Sequence, residues 1–438
     1  MLFDPRVIFV SLWCIECLGQ IFFGVVFGSF ATETWAVVAI AVIAFLSGAQ
    51  LMQYGFAGHR SQEWIDQRWP VVKLPEVISE RFKLLMILIY SVVALFVIQR
   101  IIEVTGIADV ARPLECLRLK IVKDHIAERE IAALMKCLIF GAALSLYFLS
   151  DAVHSSKITV ILLCVVGLLS ALATTGRLLL LMFVLTLIYL MYAQKIWGYK
   201  EIFASLVGFF FLFFLIAFVT NKAPAEEWMQ EKVWSCEVGH TKNIEQATAK
   251  AQSNPTNAIE SSAAASSSSF SATDRLVWNA KTYFLASFAA FDHFVKTGQP
   301  RIEGGAFLPN AMRLVLNRLG ADLAMRPAVN PVAEIAMPTN TYTAVFPLYH
   351  DMGRVGVLAW FFFLGGLHQF LYRMSQKPGH RLFRYFYAIS LYPLCMVIFE
   401  EAYASSPGFW TVFVLTPFAI QLIRLVLAKL VISGKNTL

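Results

Sequence analysis

Charge is what this sequence has least of. Asp, Glu, Lys and Arg together make up 15% of its 438 residues, against about 25% in a typical soluble domain. Too few charges remain to coat a globule of this size, so much of the surface must face lipid. The net charge of +7 is spread over many short connections, with no Lys/Arg block interleaved with aromatics. A nucleic-acid groove needs the opposite pattern, so nucleic acid is not an expected partner. HExxH, P-loop, GxSxG and kinase-type signatures are all missing, and no set of carboxylates suggests a metal site. Tandem and inverted repeats are also not visible. The seven cysteines are an odd number. Cys14 and Cys17 have CxxC spacing inside an apolar run with no histidine nearby, and read as small buried hydrophobes.

What is present is long apolar sequence. A membrane-spanning helix needs about 20 mostly apolar residues. Ten candidates appear: Val7–Phe30, Trp35–Phe56, Leu84–Val104, Ile131–Ser150, Ile158–Ala173, Leu178–Ala193, Ile202–Thr220, Val355–Tyr372, Phe386–Phe399 and Phe409–Leu430. The fifth and sixth are short and flank Thr174-Thr175-Gly176-Arg177; two tight helices are favoured over one broken one. The first span follows only six residues and reads as an uncleaved helix. Arg60, Arg68, Lys73, Arg81, Lys83, Lys195, Lys200, Arg373, Lys377, Arg381, Arg384, Lys429 and Lys435 all fall on one side if both termini are cytoplasmic.

The chain then divides into residues 1–220, with seven spans and a basic outer loop near 105–130; residues 221–354, a large outer loop; and residues 355–438, with three spans. Within the large loop, 223–274 reads as a flexible Ser-rich insertion and 275–354 as a folded cap. Tyr283, Phe284, Phe288, Phe291 and Val295 recur at helical spacing, marking an amphipathic helix on the bilayer surface or over a cavity. Met312, Leu316 and Leu319 mark a second short helix beside Arg313 and Arg318. Cys116 and Cys236 fall on the same outer side, and whether they pair stays open.

Several outer constellations have chemical potential. Arg118 belongs to a loop whose positive charge is either a solvated segment or kept for an anionic ligand. Arg177, after Thr-Thr-Gly, is either an interfacial anchor or part of a phosphate cradle at a helix start. The segment Pro338–Gly356 brings Asn340, Tyr342, His350, Asp351 and Arg354 to the mouth of a span containing Gly365-Gly366. Tyr, Asn and Asp hold sugar hydroxyls well, and paired glycines permit close helix approach. His293 follows Asp292 on the amphipathic helix. Glu400-Glu401 closes the ninth span, where two carboxylates oppose the helix dipole; such a placement hints at pairing with a loop Arg or at a base.

Ala173–Arg177 before an apolar run, the polar segment through Tyr349-His350-Asp351-Met352-Gly353-Arg354-Val355-Gly356, and the late large loop resemble the Wzy-type O-antigen polymerases of bacterial inner membranes. Met352 stands where that family usually has Phe. The resemblance implies an all-α, GT-C-like bundle of about ten transmembrane helices in the inner membrane, with the large loop periplasmic. It implies undecaprenyl-pyrophosphate-linked oligosaccharides as substrates, membrane lipid and a chain-length regulator protein as further partners, and no cofactor, since the donor is already activated. Arg118, Arg177, Arg301 and Arg326 become candidates to hold the departing pyrophosphate. Asp351, Glu401, His293 and His350, in that order, become candidates for the base. An O-antigen ligase has the same plan. A transporter or flippase would need polar groups deep in several helices, where this chain has chiefly Glu16, Gln20 and Gln50.

Overall fold

A computed structural model describes residues 3–55, 79–105, 129–174, 177–208, 272–303, 305–326, 330–377 and 379–435. The named α-helices are α1 (Pro5–Phe23), α2 (Thr32–Gly55), α3 (Glu80–Thr105), α4 (Arg129–Leu149), α5 (Lys157–Ala173), α6 (Arg177–Ala193), α7 (Ala272–Thr297), α8 (Asn310–Arg318), α9 (Val345–Ser375), α10 (Arg381–Met396), α11 (Ala402–Ser405) and α12 (Pro407–Lys435). Among the described residues the only β contact is an isolated bridge between Ala333 and Thr339. Five helices, α1, α2, α3, α9 and α12, are long and apolar enough to cross a membrane, and shorter apolar helices lie within α4, α5 and α6. The chain is an all-helical membrane protein.

Local chemistry explains the helix boundaries. Asp4 caps α1 by accepting the Arg6 N–H at 3.0 Å, with Pro5 fixing the first turn. The first span therefore starts earlier than the apolar run and ends at Phe23, where Gly24–Phe27 tightens into a 3-10 turn. The fifth and sixth spans are two separate helices. The seventh span is described as helix only to residue 208; its remainder, the basic loop between residues 105 and 129, the bulk of the Ser-rich insertion and Cys116 and Cys236 lie outside the described residues.

α2 and α9 form the closest pair in the bundle and run parallel. Glu33 meets Arg354 at one end, while the Gln53 carbonyl accepts from Arg373 at the other. A Cβ on Gly365 would run into the Phe45 carbonyl, and one on Gly48 into the Phe362 carbonyl. The glycines thus let two backbones touch, as small residues do in membrane helix pairs. The eighth span differs from its expected start at Val355: helix begins at Val345 and bends at Gly353 (φ 61°, ψ −153°). Only glycine adopts that conformation easily.

The cap is anchored by polar contacts. Asp292 Oδ1 accepts from the Ala31 N–H (2.7 Å) and the Thr34 hydroxyl (2.6 Å), so α7 supplies an acceptor to the free donors at the start of α2. Lys296 balances that carboxylate at 2.6 Å. Phe288 and Phe291 are fully buried, Phe288 against Phe30 and Trp35, Phe291 against Tyr349. α7 therefore turns its apolar face to the bundle, not to lipid. α8 is the expected second short helix, with an unusual division of faces. Met312, Leu316 and Leu319 are exposed, as are Leu314 and Val315, while Arg313 is completely buried. The guanidinium explains this division. It donates to the carbonyls of Leu308 (2.8 Å), Ala324 (2.7 Å) and Gly305 (2.7 Å), folding 305–324 around itself.

Candidate functional site

The bend at Gly353 sets His350 and Asp351 on the last turn of the first helical piece of α9, facing the 302–307 loop. Asp351 Oδ1 accepts from the Ala306 N–H (2.7 Å) and Oδ2 from the Phe307 N–H (2.9 Å). The Ile302 N–H donates to His350 Nε2 (3.1 Å), so the ring proton belongs on Nδ1, which donates to Asp351 Oδ1 (2.6 Å). Gly305 (φ 98°) makes room, since a Cβ there would approach Asp351 Oδ2 to 2.6 Å. Burial acts against the Asp351 charge, but donation from His350 and the two backbone N–H groups outweighs it and holds its pKa below the usual carboxylate value. Both side chains are spent on fixing the loop.

Arg326 stands next in this arrangement. Its backbone is held by Asn310, which donates to the Arg326 carbonyl (2.9 Å) and accepts from its N–H (2.8 Å), and the guanidinium donates to Asn330 (2.9 Å). Burial and the neighbouring Arg313 charge weaken its hold on its proton, while Glu401, Glu400 and Asp351 oppose them. Arg326 therefore stands in the field of three carboxylates from two other parts of the chain.

The two glutamates differ. Glu401 is the N-cap of α11, its oxygens accepting from the N–H groups of Tyr403 (3.2 Å) and Ala404 (2.6 Å). The expectation that it opposes a helix dipole is corrected: α10 ends at Met396, and Glu401 opens the next helix, where an acid is favoured. The Glu400 carboxylate makes no hydrogen bond to the described residues. Burial pushes its pKa up, and the Arg326 charge pulls it part of the way back. A carboxyl that is dehydrated, unbonded and beside a cation has the properties of a general base.

The other sequence candidates scatter. Arg354 and Tyr349 (2.8 Å) both bind Glu33, a first-turn acid of α2. Tyr342 is buried in the wall, stacked on Phe346 at 4.2 Å, with its hydroxyl donating to the Pro331 carbonyl (3.0 Å); burial raises its pKa to about 12. Arg301 and Asn340 are exposed, and their side chains make no bond to the described residues. His293 is half-buried, and its ring is likewise unbonded. Arg177 opens α6, but its side chain, like all of Arg118, lies outside the described residues. Sequence reasoning passed over Glu33 and Arg313, and chose Glu401 over Glu400. Glu33 carried a signal, as an acid between two threonines at a helix start. Burial of Arg313 had none.

Elsewhere in the bundle an apolar groove of about 400 Å³ lies between α3, α4 and α12, walled by Met86, Tyr90, Phe140, Val412 and Leu415, with Lys136 adding a charge. Lys136 packs near Gly408 at the start of α12, eight residues after Glu400. Among the described residues no group of three or more His, Cys, Asp or Glu side chains is placed to hold a metal ion.

The described helices define a helical membrane protein in which Glu400 lies in the electrostatic field of Arg326, a residue of the 275–354 cap. No family model, curated protein or solved structure matches the chain.

Proposed function

We propose that this protein is a membrane glycosyltransferase that polymerises undecaprenyl-pyrophosphate-linked oligosaccharide repeat units into O-antigen or a related surface polysaccharide. The feature that supports this reading is Glu400, without a hydrogen bond to the described residues and in the field of the cap residue Arg326. In the reaction the acceptor sugar hydroxyl attacks the anomeric carbon of the donor chain. A new C–O bond forms, the bond to pyrophosphate breaks, and undecaprenyl pyrophosphate leaves with the electron pair. Glu400 takes the hydroxyl proton, and Arg326 stabilises the charge growing on the leaving group. His350 and Asp351 hold the loop instead of moving protons, and Glu401 fixes the segment that carries Glu400. The groove beside Lys136 suits the isoprenoid chain, and no cofactor is required.

In this reading the chain makes about ten spans in a GT-C-like arrangement in the bacterial inner membrane. Arg6, Lys83, Arg373, Arg381 and Arg384 gather at the end away from the cap. The positive-inside rule then supports a cytoplasmic face there and a periplasmic cap.

The test is elongation of purified lipid-linked repeat units, without lipid A core, by the reconstituted protein. Parent protein gives a ladder, while Arg326→Ala and Glu400→Gln give single units. Unchanged ladders from both folded variants remove this site, and a requirement for core would make the protein a ligase.

A further inference from the structure

The opposite end of the bundle holds a second charged cluster that the proposed reaction does not use. Lys83, fully buried at the start of α3, donates to Asp151 Oδ2 (3.1 Å), the Asp151 carbonyl (3.3 Å) and the Ser155 hydroxyl (2.6 Å). Arg381, at the start of α10, is buried as well. It donates to the Ser150 hydroxyl (2.9 Å) and the Tyr147 carbonyl (2.6 Å), approaches Asp151 at 3.6 Å, and lies 4.4 Å from the Tyr147 ring centre. His154 takes the other Asp151 oxygen at 2.7 Å. One carboxylate thus already serves Lys83, Arg381 and His154. Glu80, the next acid, is engaged by the Ser156 N–H and the Thr159 hydroxyl.

Two more guanidiniums share this space without an anion. Among the described residues Arg384 reaches only the Ser150 carbonyl at 3.5 Å, and its buried Nε has no partner among them. Arg424, on α12, makes no hydrogen bond to the described residues. α12 packs against α4 and α10, the helices that bring Tyr147 and Arg381 to this end, and the charges of Arg384 and Arg424 both act against that of Arg381. Guanidiniums crowded at a helix-bundle boundary, with their carboxylate already used, are costly to keep unless an anion completes them.

We propose that Arg384 and Arg424 form a binding site for a phosphate-bearing anion, which in the membrane is the headgroup of an anionic phospholipid. The planar fork of each arginine presents paired donors to phosphate oxygens. Basic pockets between helix ends on a cytoplasmic face take such headgroups. The site stands apart from Arg326 and Glu400, so it does not depend on the reaction proposed above.

Native mass spectrometry of the delipidated full-length protein tests it, with phosphatidylglycerol, phosphatidylcholine and inorganic phosphate as probes. Parent protein should bind phosphatidylglycerol at least tenfold more tightly than phosphatidylcholine. The Arg384→Gln/Arg424→Gln variant should lose that preference while melting as a folded protein. Arg424→Gln alone, at a side chain with no hydrogen bond to the described residues, should weaken it several-fold, and Arg424→Lys should recover part of the loss. Competition by millimolar phosphate would support the site with a soluble occupant, and retention of the lipid would support the headgroup. Equal affinity for the two lipids, or a preference that survives the double substitution, would overturn the proposal.

Discussion

Glu400 and Asp351 are both acids in the field of Arg326, and their surroundings drive them in opposite directions. Glu400 has a raised pKa in the folded chain. The stability this gives is complete below the ordinary Glu range and fades as pH climbs through the raised value. Glu400→Gln removes that ionisation while keeping the shape. At pH 8 the variant should melt at or above the parent temperature, yet lose about 100-fold or more in elongation rate, the scale of a general base. A parallel loss of melting temperature would mark Glu400 as structural instead. Asp351 has a lowered pKa, so its contribution is present above the ordinary Asp range and is lost as pH falls through the lowered value. Asp351→Asn turns an amide donor toward a backbone N–H and should cost about 1–3 kcal/mol in chemical denaturation. Activity per folded molecule should fall far less than in Glu400→Gln. The sequence made the type of residue legible here but not its duty. His350 and Asp351 both read as candidate bases until the 302–307 loop is seen to donate to His350 Nε2 and both Asp351 oxygens, while His350 Nδ1 is held by Asp351.

Among the elements, the apolar runs were legible because lipid demands about 20 apolar residues whatever the rest of the fold does. Their ends were less so, since Asp4, Ser156 and Glu401 set starts through single capping bonds. α8 was legible as a helix, but which side it buries was not, because the partners of Arg313 are carbonyls, which no side-chain pattern records. Gly365-Gly366 was read correctly as a close-approach site. Gly365→Leu should therefore separate α2 from α9 and cost about 1–3 kcal/mol or more, as overpacking does. The same change at Gly28, which has open space around it, tests position against composition, although its φ of 77° adds strain of its own. A parent-like melting temperature for Gly365→Leu would count against the packing described.

Across the whole molecule, the positive charges of the short connections and the acidic groups of the cap gather at opposite ends. Single cysteines placed at Glu303 and Gly320 of the cap, in a background without the seven native ones, should react with an impermeant maleimide added outside spheroplasts. Cysteines at Lys195 and Lys377 should react only after lysis. The reverse pattern would invert the protein and place Arg326 and Glu400 in the cytosol. This arrangement was legible from Lys and Arg counts alone. That Glu400 lies in the field of Arg326 was not, because 74 residues separate them and nothing in the sequence gives their distance.

The uncovered apolar side of α8 has one more consequence. Arg313, on that helix, is tied to the same segment that carries Arg326. If the apolar side floats in the outer leaflet, the height of Arg326 follows the lipid surface instead of the bundle. Turnover should then peak at one acyl-chain length in reconstituted vesicles and fall on both sides of it. Leu319→Glu, which spoils the float but touches no bonded group, should flatten that dependence.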